Sequence, residues 1–102
     1  MQAVLAVDIG GTKLAAAVVG LDGGVLGRCQ EPTGDGDGAE LFDRLCGLVR
    51  SAQRAAGVLG GSCAALGVGC GGPMAPQGET VSPLNIAAWR GFPLRAALAE
   101  RF

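Results

Sequence analysis

Seven residues, Ala3-Val4-Leu5-Ala6-Val7-Asp8-Ile9, run almost wholly apolar without helical spacing and stop against two adjacent glycines, Gly10 and Gly11. A run this short, bounded by a turn signal, predicts a buried strand over Ala3 to Ile9, with Asp8 at its exit and a tight bend after it. Apolar residues resume from Lys13 to Val19. Leu21-Asp22-Gly23-Gly24 then supplies the positive-φ chemistry of a hairpin before a third run, Val25 to Cys29. A chain that opens this way is expected to form a three-strand antiparallel meander.

Glu31 to Gly38 contains Pro32, Gly34, Asp35, Gly36 and Asp37 and reads as a loop. A helix follows. Asp37 and Glu40 form a capping-box-like pair, and Leu41, Phe42, Leu45, Leu48, Val49 and Ala52 recur at the spacing of one helical face, which must be buried. Gly57 is the expected terminator, and Gly60-Gly61-Ser62 the turn into a second buried strand, Cys63 to Gly69. Gly71-Gly72-Pro73 breaks that strand. Pro76-Gln77-Gly78 reads as a tight turn, with Glu79 to Val81 as a short return strand of a small hairpin. Ser82 to Gly91 is irregular. Pro93 suits the first turn of a last helix, whose apolar stripe starts with Leu94 and Leu98 and runs to Phe102. The order of elements describes an α/β half-fold: a meander extended by a parallel strand, with helices.

The 102 residues suffice for one domain with a modest core. With 49% hydrophobic residues, a net charge of −1 and no charge blocks, the chain reads as globular. Neither a basic stripe nor aromatic-basic interleaving is visible, which disfavours a nucleic-acid partner. The early apolar run lacks a basic flank and is broken at Asp8, so neither a signal peptide nor a membrane span fits, and the cytoplasm is the expected location. Cys29, Cys46, Cys63 and Cys70 lack Cys-x-x-Cys spacing, and with no His in the chain they read as reduced structural thiols.

The segment with chemical content is Asp8-Ile9-Gly10-Gly11-Thr12-Lys13. Glycines let backbone amides approach an anion closely, Thr12 adds a hydroxyl donor, and Lys13, the sole lysine, adds a charged one. Asp8 would repel a phosphate unless a magnesium ion, through water, lay between them. By spacing alone the segment reads equally as a phosphate seat or as a plain hairpin turn with polar flanks. Gly67-Val68-Gly69-Cys70-Gly71-Gly72 satisfies G-x-G-x-x-G, but Pro73 and Pro76 follow where a dinucleotide site needs a helix to open. No Walker A order is present. Asn85 has donors and acceptors that suit sugar hydroxyls, whereas Trp89 reads as a core indole rather than a sugar platform.

Three segments together, Ala6 to Lys13, Gly67 to Met74, and Ser82-Pro83-Leu84-Asn85-Ile86 with Trp89 and Pro93-Leu94, resemble the ROK family of bacterial sugar kinases and repressors over nearly the whole chain. The resemblance implies the ribonuclease-H-like actin ATPase fold and attack of a hexose hydroxyl, as in glucokinase, on the γ-phosphate of ATP with magnesium. Carried onto this sequence, it makes Asp8 the Mg2+ or water-positioning carboxylate and Gly10, Gly11, Thr12 and Lys13 the ATP contacts. Gly72, Pro73 and Asn85 would border the sugar. It implies a cytoplasmic homodimer for a full-length relative, with a zinc segment for which this chain has no ligands.

Family members are longer. The general-base Asp of their Asn-Asp-Ala motif, the second phosphate motif and the adenosine-binding half are not present here. The expectation is therefore that residues 1–102 are an incomplete first subdomain with the second domain absent, inactive alone, and with the edge of the Cys63 strand exposed and prone to aggregation. A non-catalytic sugar- or phosphate-binding module, a remnant of a ROK-type transcriptional regulator, and another actin-like ATPase such as an acetate-kinase or chaperone relative are the competing readings. Met1 leading almost directly into the first strand favours the kinase branch over the repressor branch.

Overall fold

Alternation along the first strand decides which way the sheet faces. In the computed structural model, which describes residues 3–58 and 63–102, β1 (Ala3–Ile9) buries Ala3, Leu5, Val7 and Ile9 on one face and leaves Asp8 exposed on the other. β2 (Lys13–Gly20) pairs with it antiparallel, Ile9 opposite Leu14, and buries Leu14, Ala16 and Val18 on the same face. β3 (Val25–Pro32) continues the meander, and β4 (Cys63–Cys70) lies parallel to β1, giving the order β3-β2-β1-β4. The β2–β3 turn is held by Gly23 at φ 89° and by the Gly24 amide donating to Asp22 at 2.9 Å.

The core lies between this face and α1 (Gly38–Ala56). The Asp37 carboxylate accepts from the Glu40 amide at 2.8 Å, and Gly57 closes the helix in the left-handed region at φ 70°. Leu41, Phe42, Leu45, Leu48, Val49 and Ala52 are buried as their spacing predicts. Each large apolar side chain so removed from water contributes roughly 1.5–3 kcal/mol before entropy is counted. β3 approaches the helix so closely that a β-carbon on Gly27 would stand 2.6 Å from the Ala52 carbonyl.

Three expectations need correction. β3 runs three residues past Cys29, because Pro32, opposite Lys13 on the outermost strand, removes no hydrogen bond that an inner strand would need. β4 is not a buried strand: only Cys63, Leu66 and Cys70 are half-buried, and Val68 is 41% exposed, because the strand lies at the sheet edge. Glu79 to Val81 forms no strand. Val81 makes single bridges to Met74 and Phe92, and the loop is closed by the Ala75 amide on Thr80 and the Ser82 amide on Pro73, both at 2.9 Å. Pro76–Gly78 is a short 3-10 turn. The Gly60-Gly61-Ser62 turn lies outside the described residues.

The chain ends in α2 (Leu94–Arg101), which buries Leu94 and Leu98. Between it and the 3-10 turn, Trp89 is fully buried, stacks on Phe92 at 4.5 Å, and donates from Nε1 to the Gly38 carbonyl at 3.1 Å. The indole is therefore a core anchor that fastens residues 82–93 to the start of α1. No helix among the described residues is long and apolar enough to cross a membrane.

Candidate phosphate and sugar site

The bend between β1 and β2 stands at the carboxyl ends of the two parallel strands, β1 and β4, the end at which open α/β sheets present ligand crevices. Four residues, Gly10 to Lys13, make the turn, closed by the Gly10 amide donating to the Lys13 carbonyl at 3.0 Å. Gly11, Thr12 and Lys13 are exposed. Among the described residues no protein oxygen accepts from the Gly11 or Thr12 amide, which leaves donors available to an anion.

Asp8, two residues before the turn, projects from the sheet face opposite α1 into a shallow depression of about 200 Å3 that includes Ala6, Ala15, Ala17 and Arg28. It forms no ion pair with Lys13 among the described residues, so both charges are open to a ligand. On β4, where Gly69 lies opposite Asp8 and Cys70 opposite Ile9, burial and then the Asp8 carboxylate push the Cys70 thiol above its ordinary range. Cys46, inside the core, is raised chiefly by burial, against the opposing charges of Arg101 and Arg50. Both therefore stay protonated, as structural thiols do.

The loop carrying Asn85 reaches the same bend from the α1 side. Gly11 and Asn85 are packed so that a β-carbon on Gly11 would come 2.5 Å from the Asn85 β-carbon. Gly72 and Pro73, joined by a cis peptide bond, are exposed and connect to the root of that loop through the Ser82 amide on the Pro73 carbonyl. Of the anticipated residues, then, Gly10, Gly11, Thr12 and Lys13 form one bend, Asn85 packs on it at Gly11, Asp8 stands on the opposite face of the sheet, and Pro73 is bonded to Ser82, three residues before Asn85.

Three residues unnoticed in the sequence hold this arrangement. Thr33, 2% exposed, donates its hydroxyl to the Gly10 carbonyl at 2.6 Å and its amide to the Thr12 carbonyl at 2.9 Å. Arg44 donates to the carbonyls of Thr33 and Pro32 and to the Glu31 carboxylate. Arg90 Nη1 donates to the carbonyls of Pro83, Ile86 and Trp89 and closes the Asn85 loop on itself. Thr33 contacts Gly10 across 23 positions of sequence, so no local pattern marks it.

The side chains at the bend do not make a structural metal site. One open carboxylate, with no second ligand clustered about it among the described residues, suits a cation that keeps most of its water. Among the described residues no three of His, Cys, Asp and Glu cluster at metal-binding separation.

A sequence profile of the ROK family matches residues 4–102. The chain belongs to the ROK family. It is 33% identical over 101 residues to the glucokinase of Streptomyces coelicolor, covering 99% of this chain and 30% of that protein. It is also 33% identical over 94 residues to an N-acetyl-D-glucosamine kinase of Salmonella heidelberg, covering 92% and 30%. The ROK hexokinase of Thermus thermophilus superposes with a TM-score of 0.84 at 32% identity, over 97% of this chain and 32% of that one. A ROK family glucokinase of Streptomyces griseus in complex with glucose and AMPPNP superposes at 0.81 and 32% identity, over 97% and 30%. This ROK chain thus shares the actin-ATPase-like fold of its neighbours over the part it covers, and spans about 30% of the length of the curated relatives it matches.

Proposed function

We propose that this ROK chain is the N-terminal part of an ATP-dependent sugar kinase that transfers the γ-phosphate of ATP to a hexose, glucose first among candidates. The observation that carries this reading is the packing of Gly11 against Asn85, which joins an anion-receiving bend to a loop with sugar-hydroxyl chemistry. In it, the Gly11 and Thr12 amides, the Thr12 hydroxyl and the Lys13 ammonium hold the terminal phosphates, and donors fixed before the ligand arrives need no reorganisation. Asn85, with the backbone at Gly72 and Pro73, borders the sugar and orients a hydroxyl toward the phosphate. Asp8 would hold Mg2+ through water, and that cation would supply charge neutralisation between the phosphates.

In the same reading the full protein is a cytoplasmic homodimer, and residues 1–102 bind but do not turn over. Phosphoryl transfer needs a clamp from both sides of the nucleotide and an acceptor for the hydroxyl proton, and these residues supply one side.

The test is calorimetric titration of the 102-residue chain with Mg-AMPPNP and with glucose, N-acetylglucosamine and N-acetylmannosamine, each alone and with the other ligand present. Nucleotide binding that weakens when Lys13 is replaced by Met, together with preference for one sugar, supports the reading. No heat from nucleotide or from any sugar at millimolar concentration refutes it.

A further inference from the structure

A diglycine bend carries a difficulty that its openness creates. The peptide unit between Gly10 and Gly11 has no β-carbon on either side, so both orientations of the unit are sterically accessible. In one orientation it offers an N–H to an anion; in the other it offers a carbonyl oxygen, which repels one. Because a trans peptide holds its C=O and N–H antiparallel, fixing the Gly10 carbonyl also fixes the Gly11 amide.

Thr33 fixes that carbonyl. Its side chain, 2% exposed, donates to the Gly10 oxygen at 2.6 Å from the buried side of the bend. The Gly11 N–H, on the far side of the same peptide plane, is thereby turned outward, where no protein oxygen among the described residues accepts it. The Thr33 amide does the same for the next constrained unit, holding the Thr12 carbonyl at 2.9 Å. Thr33 in turn is fastened to α1: Arg44 Nη1 donates to its carbonyl at 2.7 Å while Nε reaches the Glu31 carboxylate at 3.1 Å.

We propose that Thr33, held by Arg44, is a positioning residue of the phosphate loop that locks the Gly10–Gly11 peptide with its amide toward the anion. It touches no ligand itself. The inference rests on the phosphate-binding reading of the bend.

The experiment uses the 15N-labelled 102-residue chain as wild type, Thr33→Val and Thr33→Ser, titrated with Mg-AMPPNP. Thr33→Val keeps the volume and the backbone contact but loses the hydroxyl. Its affinity is expected to fall about tenfold, with the Gly11 amide signal shifted before ligand is added, and Thr33→Ser to return within about threefold of wild type. Equal affinity and an unmoved Gly11 signal in folded Thr33→Val, or loss in Thr33→Ser as large as in Thr33→Val, overturns it. Should Thr33→Val not fold, Arg44→Lys decides: a fall of about threefold at unchanged melting temperature supports the lock, and no change overturns it. If wild type binds no nucleotide, the phosphate reading fails by itself. The lock is then judged from hydrogen exchange at Gly10 and Thr33, which must quicken in Thr33→Val and recover in Thr33→Ser.

Discussion

A β-carbon placed on Gly11 would stand 2.5 Å from the Asn85 β-carbon and 3.4 Å from its γ-carbon. The requirement for glycine at this position is thus set by a neighbouring loop as well as by any phosphate. Gly11→Ala must displace either the bend or the Asn85 loop, and is expected to lower Mg-AMPPNP and sugar affinity together by about tenfold or more. Asn85→Ala keeps the offending atom and brings no relief, whereas Asn85→Gly removes it. In calorimetry the Gly11→Ala/Asn85→Gly pair should bind nucleotide more tightly than Gly11→Ala alone. Equal binding by the two would mean that the contact does not govern the bend.

Arg90 stitches the Asn85 loop with one nitrogen, Nη1, which lies 2.9 Å from the Pro83 carbonyl, 3.1 Å from that of Ile86 and 2.6 Å from that of Trp89. Arg90→Ala should cost about 1 kcal/mol in urea unfolding, a modest loss because the residue is exposed. Because a single nitrogen makes all three contacts, the ammonium of Arg90→Lys, with three N–H donors, should recover more than half of it if the side chain reaches the same point. No recovery with Lys would mean that single-nitrogen donation does not hold the loop.

The cap of α1 is local chemistry and should behave locally. Asp37→Ala removes the acceptor of the Glu40 amide and should destabilise the chain by about 1 kcal/mol. Glu40→Ala should cost less, because among the described residues its carboxylate accepts no hydrogen bond from the Asp37 amide. Urea midpoints of the two variants, compared at equal slope, measure the difference.

What could be read in the sequence divides along the reach of the interaction. Asp37, Gly57 and the alternation of β1 act within a few residues, and both helix limits and the first two strands stand where those residues put them. Trp89 was legible as core because an indole seldom has another use. The extension of β3 to Pro32 was hidden, since whether a proline is tolerated depends on which strand is outermost, a property of the whole sheet. The open edge of the Cys63 strand was expected, but the exposure of its side chains was hidden, because an apolar run does not reveal which neighbours cover it. Of the site, the glycines and Asn85 were legible by type, while Thr33 and Arg44 act through backbone carbonyls and carry no motif.

The thiol of Cys70 reports on Asp8. Burial first, and the carboxylate second, raise it above its ordinary value. A raised pKa leaves less thiolate, so at about pH 8 to 9 Cys70 should be alkylated by iodoacetamide more slowly than a free cysteine. Asp8→Asn removes the negative charge, lowers the pKa and should speed alkylation. Mg2+ seated by Asp8 would act in the same direction. Peptide mapping of Cys70 against time tests both, and a rate indifferent to Asp8→Asn would contradict the electrostatic link.

β4 bounds the sheet, and among the described residues no strand pairs with its outer side. A strand of eight residues with an open ladder is a template for another chain, and β4 has no charged residue or proline to blunt it. Beside it, a groove of about 960 Å3 includes Leu66, Val68 and Met74, adding apolar surface to the open edge. Self-association in solution is the expected behaviour. Ala65, exposed and opposite Val4 in the ladder, projects from the face away from α1, so a lysine there meets water rather than the core. Ala65→Lys should reduce light scattering at high concentration while changing unfolding free energy by no more than about 0.5 kcal/mol. Scattering that persists in Ala65→Lys, or a wild-type chain that stays monomeric at high concentration, would place the aggregating surface elsewhere or show that there is none.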